Sequence, residues 1–544
     1  MSADRASPPP DSRPPVPPSL DPGSLDPSEE AVALAPPARR AGAAGRGELG
    51  VTPDGRLKSG RLAGLTMNRA IWVLAWPVLV DSLLNTLVGL TDTVLAAGIS
   101  EPAADAIGMA AYCLWFLGLV IMALDVGATA LISRSVGAGR LAVANAAVGQ
   151  TMLLALAAGV GLGGVLFLTS GALGGLLFDD PGSIDAFRRY MGIMAFDVPF
   201  MALLYAGIAC VRGAGSTFLP MRVMIVVNLV NMGASWSLAG VDFKTTVVAG
   251  GQTVTRTILH NPFGFDLGVT GIAIGTMLGH AVGAVLILGV LARGLAGVRL
   301  LRRRLRPHMH TMRRMLRIGF PNFLETLGMW AGNFLVVLIV SWVGAGMVGA
   351  HTVAIRIEAF SFQPGFAIAI AAATLAGQYL GAGSPRMARR AILACTLVAG
   401  AVMGMIGVVF MLFPHTLVGM LSSQPTHLAV TPELLFITGL VQIPFGIGIV
   451  LRQAMRGAGD VKVVMYVTWI CTYVLRLPLA YILSGADIPR PAWLGGGPGA
   501  VFENPSPWDW GLRGLWIGLC IEIVIRGVLF VARFAHGGWA RQRV

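Results

Sequence analysis

The chain has 544 residues, of which 55% are hydrophobic and only 12% are charged. Soluble domains carry about a quarter charged residues, so this composition excludes an ordinary soluble protein and predicts a membrane protein. The formal net charge of +13 at pH 7 could suit nucleic acid, but the basic residues lie between apolar runs, which argues against nucleic acid as a partner.

The N-terminal segment differs from the rest of the chain. Residues 1–66 are rich in Pro, Ala, Gly and Arg, as in the stretch PPPDSRPPVPPSLDP. They contain no apolar run of the kind that forms the centre of a signal peptide. We therefore predict that residues 1–66 form a disordered cytoplasmic tail.

Twelve apolar runs follow, each long enough for a bilayer-spanning helix, which needs about 20 residues. Glycine is frequent inside them, as expected where membrane helices pack closely. The predicted spans are 71–97, 104–136, 145–170, 186–210, 217–239, 269–292, 316–340, 347–378, 388–413, 430–453, 462–484 and 511–534.

Lys and Arg are unevenly distributed among the connections between these spans. They cluster after spans two, four, six, eight and ten, whereas the connections after spans one, seven and nine contain none. Because basic connections stay in the cytoplasm, this alternation predicts that both termini are cytoplasmic. The richest cluster defines a basic cytoplasmic linker at residues 299–315, and residues 536–544 are the predicted cytoplasmic C-terminus.

Sequence landmarks recur in the two halves of the chain at an offset of 244 residues. They are the prolines of LAWPVLVD and RIGFPNFLE (Pro77 and Pro321), the last glycines of VGAG and LGAG (Gly139 and Gly383), and two RGAG motifs (from Arg212 and Arg456). Since each half holds six spans, an even number, both halves enter the membrane from the same side. We predict an all-α integral membrane protein with twelve transmembrane helices in two homologous six-helix lobes, related by a pseudo-two-fold axis along the membrane normal. The N-lobe is residues 67–298 and the C-lobe is residues 316–535.

Carboxylates inside the spans require a reason, because a charge at the bilayer centre costs about 2.5–3.5 kcal/mol or more. Three aspartates of the N-lobe have apolar counterparts at the repeat offset: Asp92, Asp125 and Asp197 correspond to Val336, Ala369 and Val441. Asp81, by contrast, corresponds to the acidic Glu325. An acid that occurs in only one lobe is not needed by the shared architecture, so we predict a cation site in the N-lobe.

Two polar stripes support this prediction. At 100° per residue, Asp81, Asn85 and Asp92 lie within about 40° of one another around the first span. Three polar residues likewise share one face of the fifth span. Buried carboxylates can bind a proton, and carboxylate, amide and hydroxyl oxygens also suit Na⁺, which could bind at Asp92. The candidate coupling residues are Asp92, Asp81, Asn85, Asn231, Asn228, Ser235 and Asp197.

Several longer segments resemble the multidrug and toxic compound extrusion (MATE) family over about residues 68–535. They include LAWPVLVDSLLNTLVGLTDTVLAAG, RGAGSTFLP, RIEAFSFQPGFAIAIAAATLAGQYLGAG and RGAGDVKVV. The resemblance implies two six-helix lobes that export organic cations and drugs in exchange for protons or sodium ions. It also implies that Asp92, the acid of TDT, is the coupling carboxylate, with polar residues such as Asn231 and Ser235 of the fifth span. The body of the tenth span lacks the acid of a sodium-coupled branch, which favours protons.

We therefore predict a secondary active antiporter that exports lipophilic organic cations or drugs in exchange for H⁺ (or Na⁺) by alternating access. The expected partners are small cationic substrates and membrane lipids, with no cofactor besides the coupling ion, and we expect a functional monomer. The high Ala, Gly and Arg usage is typical of a GC-rich bacterial genome, so the expected location is the bacterial inner membrane.

Apolar and aromatic side chains are expected to wall a substrate cavity between the lobes. The candidates are Phe200, Tyr205, Met329, Trp330 and Phe362. Two long loops, about 240–268 and 485–510, occupy equivalent positions in the two halves, and their composition predicts irregular structure or short hairpins on the outer side.

Other function classes have weaker support. A lipid or lipid-linked glycan flippase of the same broad superfamily would need basic groups for phosphate, and Arg476, deep in the eleventh span, keeps this alternative open. An enzyme is not predicted, since the sequence has no HExxH motif, its intramembrane His280 and His351 stand alone, and its five cysteines lack metal-ligand spacing. A receptor that binds without transporting would be distinguished by transport measurements.

Overall fold

The computed structural model describes residues 50–249, 252–490 and 500–542. The N-lobe comprises α1 (Met67–Ile99), α2 (Glu101–Gly137), α3 (Leu141–Leu177), α4 (Pro181–Gly213), α5 (Phe218–Ala239), strands β1 (Phe243–Ala249) and β2 (Gln252–Leu259), and α6 (Val269–Ala292). A 3₁₀ turn at Arg302–Leu305 leads into the C-lobe. That lobe comprises α7 (Met309–Val343), α8 (Met347–Gly381), α9 (Pro385–Leu412), α10 (Pro414–Leu421), α11 (Pro425–Leu440), α12 (Gln442–Gly457), α13 (Val461–Trp469), a π-helix (Ile470–Arg476), α14 (Leu477–Ser484), strands β3 (Ile488–Pro489) and β4 (Val501–Phe502), and α15 (Gly511–His536).

The predicted count of twelve spans agrees with the helices of the described residues. Eleven helical segments are long and apolar enough to cross a membrane, counting Val461–Ser484 as one segment through its π-helix. The tenth span of the chain is the pair α11–α12, which bends by 60° at Val441. The protein is therefore a multi-pass membrane protein, and every prediction of an α-helical span corresponds to a helix.

The repeated glycine motifs are turns that end equivalent helices. Gly139 and Gly383 have φ values of +72° and +78°, and they follow α2 and α8. Gly215 and Gly459, with φ values of +91° and +85°, follow α4 and α12 in the same way. Because a side chain is disfavoured at positive φ, glycine at these sites lets each lobe make the same turn.

The two lobes touch at the end of the molecule where α2 and α8 end. A Cβ atom on Gly137 would overlap the carbonyl of Gln378, and one on Gly381 would overlap the carbonyl of Arg134. The Arg134 guanidinium also donates to the Ala458 carbonyl at 2.8 Å. These repeat-related contacts bring the two helices into direct backbone contact and close this end of the space between the lobes.

Residues 50–66, which we call the N-terminal strap, bridge the two lobes at the same end. Val51, Leu57 and Leu62 are almost completely buried, and the first two form an antiparallel bridge. The Ser59 hydroxyl donates to the carbonyl of Val136 in α2, and the Tyr379 hydroxyl of α8 donates to the carbonyl of Gly55. The predicted disorder of residues 1–66 is thus wrong for residues 50–66, since these residues pack on both lobes; residues 1–49 lie outside the described part of the chain.

The basic linker between the lobes is held by a side chain of α3. The Gln150 amide donates to the carbonyls of Arg304 and Arg306 at 3.0 and 2.8 Å and accepts from the backbone N–H of His308 at 2.8 Å. Helix α7 begins at Met309, so the second half of the predicted linker is helical. Beyond α15, Trp539 is buried and stacks on Phe534, so part of the predicted C-terminal segment is also folded.

The two long loops contain short hairpins, as predicted, and the same clasp closes both. The Asn261 side chain donates to the carbonyl of Trp236, and its backbone N–H donates to Asp242. The Asn504 side chain donates to the carbonyl of Tyr481, and its backbone N–H donates to Asp487. The internal repeat therefore extends from the helices into the loops.

Candidate functional site

A cavity of about 710 Å³ lies between the two lobes. The N-lobe provides most of its wall through α1, α2, α4 and α6, and the C-lobe contributes α8 and α12. The lining reaches from Ala104, near the start of α2, to Gly457, the last residue of α12. The cavity therefore runs toward the end of the molecule at which α2 and α8 meet.

Asp92 lies on this wall, in the last third of α1. Its Oδ1 atom is buried, and no residue of the described chain offers it a hydrogen bond. A buried carboxylate oxygen without a donor is costly, and a bound cation or proton removes that cost. The carboxylate can thus accept a ligand from the cavity.

Asp197 and His280 form a pair next to this position. His280, on α6, lines the cavity, and its Nδ1 lies 2.8 and 2.9 Å from the two carboxylate oxygens of the fully buried Asp197 on α4. The expectation that His280 stands alone is wrong. His351 also has a partner, because the Trp516 indole donates to its Nδ1 at 3.0 Å.

Each lobe contains an equivalent ion pair, and Asp81 belongs to the pair in the N-lobe. It binds Arg212 of α4, and in the C-lobe Glu325 of α7 binds Arg456 of α12 at 2.7 Å. The four residues correspond at the repeat offset of 244. Arg212 and Arg456 both line the deep end of the cavity, each neutralised by its own acid. Asn85 lies next to the N-lobe pair, with its amide nitrogen 3.5 Å from Asp81.

The polar stripe of the fifth span lies between α5 and α6 and does not line the cavity directly. The Asn231 amide donates to the Thr276 hydroxyl at 3.0 Å, and Thr276 lines the cavity. Ser235 donates to the carbonyl of Ile272, and Asn228 is buried one helical turn before Asn231 along α5. The stripe therefore stands behind the cavity wall and reaches the cavity through Thr276.

The predicted wall residues have different positions. Tyr205 lines the cavity. Phe200, Met329, Trp330 and Phe362 are not part of its lining among the described residues; Trp330 packs on Trp115, which does line it, and Phe362 stacks on the lining residue Phe366. Helical spacing alone could not distinguish a ring that faces the cavity from one that packs behind it.

Sequence reasoning left Asp125 and Tyr190 out of the candidate site, and both line the cavity. Asp125 has a buried Oδ1 atom to which no described residue donates a hydrogen bond. Asp92 lies near the end of α1 and Asp125 far along the antiparallel α2, which separates them by roughly 25 Å along the helix axes at 1.5 Å per residue. The apolar counterpart of Asp125 was the signal that could have identified it.

Arg476 does not face the cavity. Its guanidinium donates to Glu522 at 2.9 Å and to Asn333 at 2.6 Å, inside the C-lobe. Glu522 also lies close to Arg526, with 3.3 Å between Arg526 Nε and the carboxylate. Arg476 is therefore held inside the C-lobe and does not supply a basic group to this cavity, which removes the observation that kept the flippase alternative open in the sequence.

Comparisons with known proteins match both lobes. A protein-family model described as MatE matches residues 77–236 and again residues 321–482, so the two matches begin 244 residues apart. The chain belongs to the MATE family. Its two copies of the family domain confirm the predicted duplication, and MATE proteins are transporters, so the prediction that this protein is not an enzyme also holds.

Individual relatives cover nearly the same region. This MATE transporter is 25% identical to the probable multidrug resistance protein NorM of Thermotoga maritima over 473 residues, which is 87% of this chain and 93% of the relative. It shares its fold with a multidrug resistance MATE transporter solved in an outward-facing conformation, with a TM-score of 0.74, 19% identity and coverage of 88% and 97% of the two chains. A transporter of the MOP superfamily from Pyrococcus furiosus, described by the reverse polarity of its binding pocket, has a TM-score of 0.73 at 18% identity, with coverage of 88% and 97%. These structures confirm the predicted fold class.

Proposed function

We propose that this MATE transporter exports lipophilic organic cations by secondary active antiport with protons, and that Asp92 binds the two cations in turn. The observation that carries the proposal is the unpartnered carboxylate oxygen of Asp92 on the wall of the interlobe cavity. The basic groups of that wall, Arg212 and Arg456, are each paired with an acid, so the remaining charges come from Asp92, Asp125 and the His280–Asp197 pair. This balance favours cations over anions as substrates.

The chemistry of the wall supports a lipophilic substrate. The rings of Trp115, Tyr190 and Tyr205 line the cavity together with Met194 and Met201. Aromatic faces attract cations, and methionine side chains adapt to ligands of different shapes. The Thermotoga maritima relative is named a probable multidrug resistance protein, which supports drugs as substrates of this transporter.

The His280–Asp197 pair favours protons over Na⁺ as the coupling ion. Imidazole gains and loses a proton in the physiological pH range. A carboxylate next to one ring nitrogen, as Asp197 is to Nδ1 of His280, stabilises the protonated, charged form. Na⁺ would require several convergent oxygen ligands. The Asn231 amide nitrogen and the Ser235 hydroxyl donate to α6, and neither residue lines the cavity with Asp92, although the Asn231 oxygen has no hydrogen-bond donor among the described residues.

Alternating access would use the contact between α2 and α8. We propose that this contact closes the cytoplasmic side, because the basic connections lie at that end of the helices, and that the described conformation is outward-facing. Rocking of the lobes would break this contact and expose Asp92 to the other side. The proposed setting is the bacterial inner membrane, with both termini cytoplasmic, a functional monomer, and no cofactor besides the coupling ion. The membrane potential would supply about 2.3 kcal/mol per charge per 100 mV.

Transport of ethidium into proteoliposomes under an imposed proton or sodium gradient tests the proposal. We expect a proton gradient, and not a sodium gradient, to drive transport by the wild type, and Asp92→Asn to abolish it. Asp185→Asn is the matched control, because Asp185 is an exposed acid of α4 that pairs with Arg189. Transport by Asp92→Asn at the wild-type rate would refute the proposed role of Asp92, and transport driven only by sodium would refute the proposed ion.

A lipid flippase remains the second candidate, and one observation favours it. Arg212 and Arg456 both line the deep end of the cavity, and the Pyrococcus furiosus relative is described as having a pocket of reverse polarity. A phosphate head group would have to compete with Asp81 and Glu325 for these guanidinium groups. Movement of a fluorescent lipid-linked phosphate across proteoliposomes, with no gradient-driven ethidium transport, would favour the flippase.

A further inference from the structure

The C-lobe contains a buried charge cluster that the N-lobe lacks. Its members without charged counterparts at the repeat offset are Arg452, Arg476, Glu522 and Arg526; the aligned N-lobe positions hold only uncharged, mainly apolar residues. The acids found only in the N-lobe were assigned a function because the shared architecture does not need them. The same holds for charges found only in the C-lobe, which therefore also require an explanation. The proposed antiport mechanism does not use them.

The cluster has more guanidinium groups than carboxylates. Glu522 binds Arg476 at 2.9 Å, and its Oε1 atom lies 3.3 Å from Arg526 Nε without accepting a hydrogen bond from any described residue. Glu325 binds Arg456 at 2.7 Å and has Arg452 at 4.0 Å. Both acids are completely buried, and the four arginine side chains are at most 12% exposed.

A third acid, Glu358, lies within electrostatic range of Arg476. Even with Glu358 ionised, four arginines face three carboxylates among the described residues, so this part of the chain leaves one positive charge of the cluster uncompensated. Burial of an unpaired charge is strongly unfavourable. A bound water molecule is neutral, so it would not compensate the excess positive charge.

Two of these arginines also have free donor atoms. Arg452 Nε and Arg526 Nη1 are buried, and no described residue accepts a hydrogen bond from either atom. Arg452 directs its Nη1 to the sulfur of Met329 at 3.4 Å, which is a weak acceptor.

Both arginines belong to the interface between α12 and α15. These helices approach closely at Gly448 and Gly527, where a Cβ atom on Gly448 would lie 3.8 Å from the Cα atom of Gly527. Arg452 is one helical turn after Gly448, Arg526 is adjacent to Gly527, and the two guanidinium groups interact electrostatically. Two like charges with unused donors at one helix interface form a setting for an anion.

We propose that the C-lobe binds one small monovalent inorganic anion, such as chloride, between α12 and α15, with Arg452 and Arg526 as its donors. The anion neutralises the excess charge and accepts the unused N–H groups. It lies behind the cavity wall formed by Gln453 and Arg456, and it is separate from the cation site on the N-lobe. The site would stabilise the C-lobe whether or not Asp92 couples to protons.

Binding of radioactive chloride to the purified full-length protein, with gluconate as the balancing anion, tests this proposal. We expect saturable binding of one chloride per chain. Arg452→Gln and Arg526→Gln should each weaken binding by about tenfold or more, because each removes a charge-assisted hydrogen bond. Arg533→Gln is the matched control, since Arg533 lies on the same helix as Arg526 but pairs with Asp460; it should bind chloride as the wild type does.

The melting temperature of the wild type provides a readout that needs no variant. It should rise saturably when chloride replaces gluconate at constant ionic strength. Any of three results would overturn the proposal: no saturable chloride binding, equal melting temperatures in the two salts, or unchanged binding in both Arg452→Gln and Arg526→Gln. The unused donors would then be bonded to water.

Discussion

The two lobes share their supporting interactions and differ in the charges that remain. Each lobe pairs an acid of its first helix with the arginine of its RGAG motif: Asp81 with Arg212, and Glu325 with Arg456. Only the N-lobe adds Asp92, Asp125 and the Asp197–His280 pair, and each of these acids has an apolar counterpart in the C-lobe. An intramembrane acid is therefore interpreted best against its repeat partner: a shared acid supports the fold, and an unshared acid requires a reason of its own.

The largest expected effect comes from breaking the shared ion pairs. Glu325→Gln leaves the buried Arg456 guanidinium uncompensated, which costs about 3–5 kcal/mol, and Asp81→Asn does the same to Arg212, whose side chain is 21% exposed, at a smaller cost. We expect both to lower the melting temperature strongly, with the larger loss for Glu325→Gln because Arg452 is also close to that acid. The double variant Asp81→Asn/Arg212→Gln should recover part of the loss. Full stability of either single variant would show that its ion pair does not support the fold.

The N-terminal strap is outside the repeat, and its loss should affect both lobes together. Leu62 is 2% exposed and packs against Gly215, so Leu62→Ala should cost about 2–3 kcal/mol in unfolding free energy. Leu65→Ala, at a half-buried position of the same segment, is the control and should cost less than about 1 kcal/mol. Thermal unfolding measures both. Equal, small effects would mean that the strap does not join the lobes.

The Asp197–His280 pair occurs only in the N-lobe, so unlike the shared ion pairs it should matter for transport more than for stability. Asp197→Asn removes a charge-assisted hydrogen bond to the imidazole, so we expect proton-driven ethidium transport to fall about tenfold or more. His280→Gln should have a similar effect, and the double variant should be no worse, since the two residues act as one unit. Additive losses in the double variant would show that the two side chains work separately.

The smallest expected effect concerns the clasps of the two outer hairpins. Asn261→Ala and Asn504→Ala each remove side-chain hydrogen bonds that are partly buried, at a cost of about 1 kcal/mol. We expect faster amide hydrogen exchange in the corresponding hairpin and nearly unchanged ethidium transport. A large transport loss in only one of the two variants would indicate that this loop has a role the other lacks.

The sequence predicted the architecture because its signals are local and repeated. Hydropathy located the spans, and the glycines at Gly139 and Gly383 mark the same left-handed turn twice. The offset comparison identified Asp92, Asp125 and Asp197 as unusual, although Asp125 was not carried into the candidate site. These features depend on composition and spacing, which a single sequence contains.

The partners of the buried charges could not be predicted in the same way. Asp81 meets Arg212 and Asp197 meets His280 only after α4 has packed against α1 and α6. In the sequence, Arg212 is only one of the basic residues after span four and the first residue of an RGAG motif, and the residue aligned with His280 is the apolar Ile523 or Val524. The strap was missed because Gly- and Pro-rich composition suggests disorder, whereas its few apolar residues bind surfaces provided by the two lobes.

In the proposed mechanism the Asp92 carboxylate holds either a proton or the organic cation. Proton release on addition of tetraphenylphosphonium to the purified protein, in weakly buffered detergent solution near neutral pH, tests it most directly. We expect the wild type and Asp185→Asn to release protons as the cation binds, and Asp92→Asn to release far fewer. Equal release from Asp92→Asn and the wild type, or cation binding by the wild type with no release, would contradict it.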